Sequence, residues 1–340
     1  MKLTQMTRAL GVVGLSATIA MSGCSDSSDS SAPTASVPTG PTAMAEAAKI
    51  GANTNNPTIL WDTLPLTWRG QANELVHAFA GAVPAPLYDN AMAAVKKLAT
   101  VLKTKKQFVL ATPFLKETLA EPDAPSPAQF DKFYEAITSV VEAVANSDLK
   151  TTTTLGKTTV AKLLTEIAPT AHTAVLTIAT VVAETPGPAG RENEQAKEFL
   201  ALFDSIKHLT ATVVSRDKTT AVISITLPNL PPAFAGPLAP FLGNVQMTEV
   251  DGEAWVPAVI ATEWPQMIAS IKEGIDQMAA QFGPDNPQAQ QQMMGAQMVI
   301  GMMTSVLDQL EKASTQKEFD QALLSVAGLM GGMGPMLDGR

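Results

Sequence analysis

The amino-acid sequence predicts an α+β fold, mostly helical: an N-terminal helical bundle followed by two antiparallel β-hairpins covered by helices. Three observations predict it. Apolar residues between about 70 and 205 recur every three or four positions, with proline-rich breaks between the runs. Residues 208 to 258 switch to alternation around two turn signals. From Trp264 onward the helical spacing returns.

Composition bounds the function. The chain has 340 residues, 46% hydrophobic and 16% charged, which is enough to bury a real core. A net charge of −9 argues against nucleic-acid binding, which needs a basic face to displace phosphate counterions. One cysteine excludes a disulfide scaffold, a Cys-rich zinc module and a CxxC redox pair.

The first element is an address. Lys2 and Arg8 form a positive start, and Ala9 to Met21 is an apolar run too short to span a bilayer comfortably but long enough for a signal-peptide core. Met21-Ser22-Gly23-Cys24 follows. This stretch resembles the lipobox of bacterial lipoproteins, usually Leu-(Ala/Ser)-(Gly/Ala)-Cys, with Met21 in the place of Leu. The resemblance implies a signal peptide over 1–23, cleavage by signal peptidase II, a diacylglyceryl thioether on the Cys24 sulfur and an acylated Cys24 amine. A thiolate is the side-chain nucleophile suited to that transfer. Two or three acyl chains hold a protein on a membrane far better than one. Loss of residues 1–23 removes Lys2 and Arg8 and no acid, so the charge moves from −9 to −11. Anionic head groups repel such a body, so the lipid on Cys24 is the expected membrane partner. Ser25 stands where an Asp would resemble an inner-membrane retention signal, which implies the outer membrane, periplasmic side, in a cell with two membranes.

Residues 24–50 carry the acylated cysteine and a tether. Ser, Thr, Pro and Gly dominate the segment after Cys24, so it has little to bury.

A helical domain over 51–206 comes next. Leu87, Ala91, Val95, Leu98 and Leu102 share one helical face. Ser126-Pro127-Ala128-Gln129 is a capping box with proline at the first helical position, opening a helix through Phe130, Tyr134, Ile137 and Val141. Phe199, Leu200, Phe203 and Ile206 mark another helix.

Residues 207–340 hold the hairpin sheet and Met-rich helices. Leu209, Ala211 and Val213 alternate, the chain turns at 216–219, and Ala221, Ile223 and Ile225 alternate back. Val245 and Met247 start a second pair around Asp251-Gly252, a strong hairpin signal. Trp264, Ile268, Ile271, Ile275, Met278 and Phe282 form one helical stripe, expected to cover the sheet or pack on a helix. In element order, about 75 residues here resemble cystatin-like and NTF2-like envelope modules, a likeness that carries no function by itself. Thr315 to Glu318 is a second capping box, and Gly331 to Pro335 is expected to fray.

Two groups of residues are candidates for contact with a ligand or partner. Trp61 and Trp68 lie in a stretch expected to be non-helical, before the first helix, where they either pin the tether to the body or form an exposed aromatic lip. Ten of the sixteen methionines fall at or after 267, and Met293, Met294, Met298, Met302 and Met303 crowd one helix. Their thioethers suit core packing, a pliable apolar or partner groove in which Met294, Met298 and Met302 take part, or Cu(I).

No catalytic constellation emerges. His77, His172 and His208 lack a second histidine at ligand spacing. Ser147-Asp148-Leu149-Lys150 matches the S-x-x-K pattern, but no S-D-N or K-T-G accompanies it. No catalytic residue, metal or cofactor is expected. The expected function is a non-enzymatic, membrane-anchored envelope lipoprotein with a structural or interaction role. The alternative is a periplasmic binding or carrier module for an apolar or amphiphilic ligand, with the Met-rich helix and the sheet lining its cavity.

Overall fold

The structure is a computed structural model that describes residues 36–121, 124–186, 193–283, 286 and 288–325. The expected signal peptide over 1–23, Cys24, the first part of the expected tether and the glycine-rich segment 331–335 lie outside the described residues.

The fold is α+β and mostly helical. In chain order the helices before the sheet are α1 (Ala43–Thr54), α2 (Ile59–Asp62), α3 (Leu66–Ala82), α4 (Ala85–Thr104), α5 (Lys106–Leu110), α6 (Pro113–Leu119), α7 (Pro127–Asn146), α8 (Thr152–Leu155), α9 (Val160–Glu184) and α10 (Glu194–Lys207). Strands β1 (Thr210–Arg216) and β2 (Thr220–Thr226) follow, then α11 (Pro232–Leu238), β3 (Gly243–Val250) and β4 (Ala254–Pro257). Helices α12 (Ala258–Phe282), α13 (Ala289–Lys312) and α14 (316–325) close the described chain.

Local signals set many of these ends. Ser126 accepts from the Gln129 backbone, and the Gln129 side chain accepts from the Ser126 backbone, so the capping box starts α7. Glu318 accepts from the Ser314 and Thr315 backbones and opens α14. At the β3–β4 turn Asp251 and Gly252 take φ of 60° and 75°, a region that Gly enters freely and Asp tolerates.

The four strands form one antiparallel meander in the order β1-β2-β3-β4. Ala221 pairs with Met247 and Ile223 with Val245, which puts both pairs on one face. With Trp255 they make a buried cluster. A register shift between Val213 and Ser215 inserts a bulge into the β1 edge, and such bulges discourage pairing with another chain.

Two expectations are corrected. The tether does not run to residue 50. Helix α1 begins at Ala43 and buries Ala43, Ala45, Ala47, Gly51 and Ala52 against α10 and strands β1 and β4. Small side chains let that helix approach closely, and the Ser/Pro composition that defines the tether has ended by Pro41. The helix after the sheet meets both partners expected of its stripe: α12 packs chiefly on α3 and also touches β3 and β4. Trp264 of α12 stacks on Trp68 of α3, ring centroids 4.4 Å apart and 7° from parallel.

The boundary at 206/207 does not separate two cores. Ala94 and Val101 of α4 share a buried cluster with Val306, Leu307, Leu310, Phe319 and Ala322. Lys97 pairs with Asp308, Lys105 Nζ donates to the Ala313 carbonyl at 2.7 Å, and Phe108 packs against Phe319. Segments about 210 residues apart in sequence therefore bury one another.

Candidate functional site: an exposed methionine face

Trp61 and Trp68 do not form a lip. Both are buried. Trp61 packs with Leu164 and Ala168 of α9, beside Leu64 and Ala72, and Trp68 sits under Trp264. Trp264 Nε1 donates to Gln71 Oε1 at 2.6 Å, so the polar edge of the pair is satisfied within the protein. These rings pin the start of the bundle and present no free aromatic surface.

The methionines lie in the opposite situation. Core packing would bury them, yet Met294 is 60% and Met298 65% exposed, with Met302 half-buried. Met303 and Val299 are exposed on the same helix, and Met267 and Ile271 on α12. No charged residue occurs between Asp285 and Asp308. Helix α13 thus buries one side, through Val306, Leu307 and Leu310, and stays uncharged on the side that faces solvent, where exposed Met294, Met298, Val299 and Met303 are interspersed with Gln297 and Ser305. Gly295 and Gly301 add open space around this helix, since a Cβ there would meet nothing within 4 Å. Exposed contiguous apolar surface of this kind marks interaction sites, and flexible thioethers adapt to irregular partners. The sequence signal that could have revealed the exposure is the number of methionines in that charge-free run, which is more than one buried stripe can take up.

The carrier reading expected a cavity lined by the Met-rich helix and the sheet. Neither lines one open cleft present among the described residues. That cleft, about 330 Å³, is open and bordered by Asn55, Lys132, Thr173, Leu176, Thr180 and Glu184. Thr173 and Thr180 donate their hydroxyl protons to carbonyls one turn earlier in α9. Glu184 accepts from Gln129 at 3.4 Å. The threonine hydroxyls serve the helix that carries them, while Asn55 and Lys132 border the cleft as further polar groups.

The histidines are apart from one another. His77 Nε2 donates to the Thr158 carbonyl at 2.8 Å and ties α3 to the segment before α9. His172 lies edge-on to Phe203 between α9 and α10, its Nδ1 buried with no hydrogen-bond partner. Burial, with Lys207 nearby, holds its imidazole below the ordinary range. His208 ends α10. Among the described residues no three His, Cys, Asp or Glu side chains group as metal ligands. Ser147, of the S-x-x-K pattern, is buried; its hydroxyl donates to the Val144 carbonyl and accepts from the Leu149 backbone, a capping role. Tyr134 is the most perturbed phenol, pushed up to about 12 by burial, and its hydroxyl donates to the Leu102 carbonyl. It joins α7 to α4.

One described helix, α9, is long and apolar enough to cross a membrane by length and composition. It packs along α7 and α10. No protein-family model, curated protein or solved structure matches the chain.

Proposed function

We propose that this chain is a lipid-anchored envelope protein with a non-enzymatic, structural or interaction role, and that the outward methionine face of α13 is its contact surface. The observation that carries the anchor is the position of Cys24, the one cysteine of the sequence, directly after an apolar run and Ser22-Gly23. An acylated sulfur there supplies the membrane affinity that an acidic body lacks. Between Cys24 and α1 lie 18 residues rich in Ser, Thr and Pro. At coil dimensions they set the body about 20–25 Å from the bilayer. At that distance an uncharged apolar face meets another envelope protein without the repulsion that the acidic remainder of the surface would impose.

Membrane partition tests the anchor. The wild-type protein is expected in the detergent phase of a cell extract and Cys24→Ala in the aqueous phase. Equal partition of the two would remove the proposal. The Ser25→Asp variant addresses location: in a cell with two membranes it is expected to move from the outer- to the inner-membrane fraction.

A further inference from the structure

The exposed side of α13 presents one kind of readily oxidised atom, the thioether sulfur. From Asn286 to Leu307 the sequence has no titratable side chain, so proton uptake or release does not change the polarity of this stretch. Met294, Met298 and Met303 are 60%, 65% and 52% exposed. Met294 and Met298 stand four residues apart, about 6 Å along the axis, so one lies above the other on the helix. Met302 follows at the same step and is half-buried.

The fold does not rest on these sulfurs. Helix α13 is held by Val306, Leu307 and Leu310, which cluster with Ala94, Val101 and Phe319, and none of the residues in that cluster is a methionine. Met247 is the contrasting case: it is 2% exposed and belongs to the core of the sheet. Oxidation of a core thioether places a polar group among apolar ones and disrupts their packing. Oxidation of a thioether that already faces water leaves the packing alone and changes what the surface offers.

We propose that Met294, Met298 and Met303 form a reversible oxidation site, at which a peroxide converts an uncharged thioether face into a polar sulfoxide face while the body stays folded. The sulfur lone pair attacks one peroxide oxygen. An S–O bond forms and the O–O bond breaks. The departing hydroxide takes the proton from the transferred oxygen and leaves as water. Sulfur loses two electrons and the peroxide gains them. A sulfoxide reductase supplied with a dithiol reverses the step, forming a disulfide and water. For its effect on a partner the proposal rests on the contact reading above: a sulfoxide oxygen holds water that an apolar partner would have to displace.

Peroxide titration of the purified full chain, read by peptide mass spectrometry, tests the site. Met294, Met298 and Met303 are expected to oxidise at least about tenfold faster than Met247. With one oxygen on each of the three, the melting temperature should stay within about 2 °C of the untreated protein. Methionine sulfoxide reductases with dithiothreitol should return all three to thioethers. In the Cys24→Ala background, which excludes acylation of that sulfur, the oxidised protein should leave a hydrophobic-interaction column earlier, and reduction should restore its position. Adding Met294→Leu, Met298→Leu and Met303→Leu to that background keeps the apolar volume without the sulfur and should abolish the shift. An equal shift in the leucine variant would overturn the proposal, by assigning the change to other methionines. Oxidation of Met247 in step with the three would overturn it too, as would a melting temperature that falls as they oxidise. Failure of the contact reading looks different: α13 would make no adducts in untreated cells, and the oxidation results would stand.

Discussion

Asp251 Oδ2 accepts two hydrogen bonds from Thr67, one from its backbone N–H at 3.0 Å and one from its hydroxyl at 2.8 Å. The tip of the β3–β4 hairpin thus caps the first turn of α3 across 184 residues of sequence. Pro65 precedes that helix and supplies no capping side chain, so a free N–H in the first turn is satisfied from outside.

This relationship predicts a pair of variants. Asp251→Ala is expected to lose about 1–2 kcal/mol in urea unfolding, from the lost cap and from a Cβ-bearing residue held at positive φ. Asp251→Asn keeps an acceptor and tolerates that φ, so its loss should stay within about 0.5 kcal/mol. Equal stability of the alanine variant and wild type would show that the contact contributes nothing.

The Trp68–Trp264 stack sits beside this cap and holds α12 on α3. Trp264→Ala is expected to cost about 2–3 kcal/mol, below a fully buried Trp because Trp264 is partly exposed. Trp264→Phe should recover part of that loss. The near-ultraviolet circular dichroism of the paired indoles should fall in both variants.

The joint core predicts coupling between the two ends of the chain. Phe319→Ala is expected to cost about 3–5 kcal/mol. The fluorescence transition should shift with it, although none of the four tryptophans belongs to the Phe319 cluster. Fluorescence and far-ultraviolet circular dichroism should trace one coincident transition. A tryptophan signal indifferent to Phe319→Ala would mean two independently folding units.

His172 gives a pH dependence with a defined direction. Burial first, and Lys207 second, lower its affinity for a proton in the folded state below the ordinary value of 6.5. The unfolded chain therefore binds that proton more readily. Stability is full above pH 6.5 and falls as the pH drops below it. His172→Leu removes the group and should flatten the melting temperature between pH 6.5 and about 5, above the range where carboxylates protonate. The same slope in the variant and in wild type would contradict this assignment.

Much of the fold was legible because its signals are local. The Asp251-Gly252 turn, the alternation at Ala221, Ile223 and Ile225, and the Ser126 capping box each fix a structure within a few residues. The partners of each apolar face were not legible. Periodicity identifies the stripe Trp264, Ile268, Ile271, Ile275 but does not say that α3, more than the sheet, lies against it. The pairing of α4 with α13 depends on a closure over some 200 residues that no local pattern encodes. Trp61 and Trp68 read equally well as a lip or as an anchor, because the aromatic area that suits a partner also suits the protein's own interior. The methionines of α13 were open in the same way, since a thioether suits a core and a partner surface alike. An apolar residue is ordinarily buried, and only the number of methionines in a charge-free run marks these as exposed.

The exposed methionine face predicts a separation of stability from binding. The double variant Met294→Gln, Met298→Gln changes exposed side chains and should keep stability within about 0.5 kcal/mol. Cross-linking in intact cells should lose the adducts that α13 makes in wild type. Unchanged adducts would place the contact surface elsewhere.

The most direct test of the central claim is the mass of the N-terminal peptide of the mature protein isolated from its membrane. The account predicts a peptide that begins at Cys24 and carries a diacylglyceryl group on the sulfur and a fatty acyl group on the amine. An unmodified Cys24, or a mature chain beginning after it, would contradict the account.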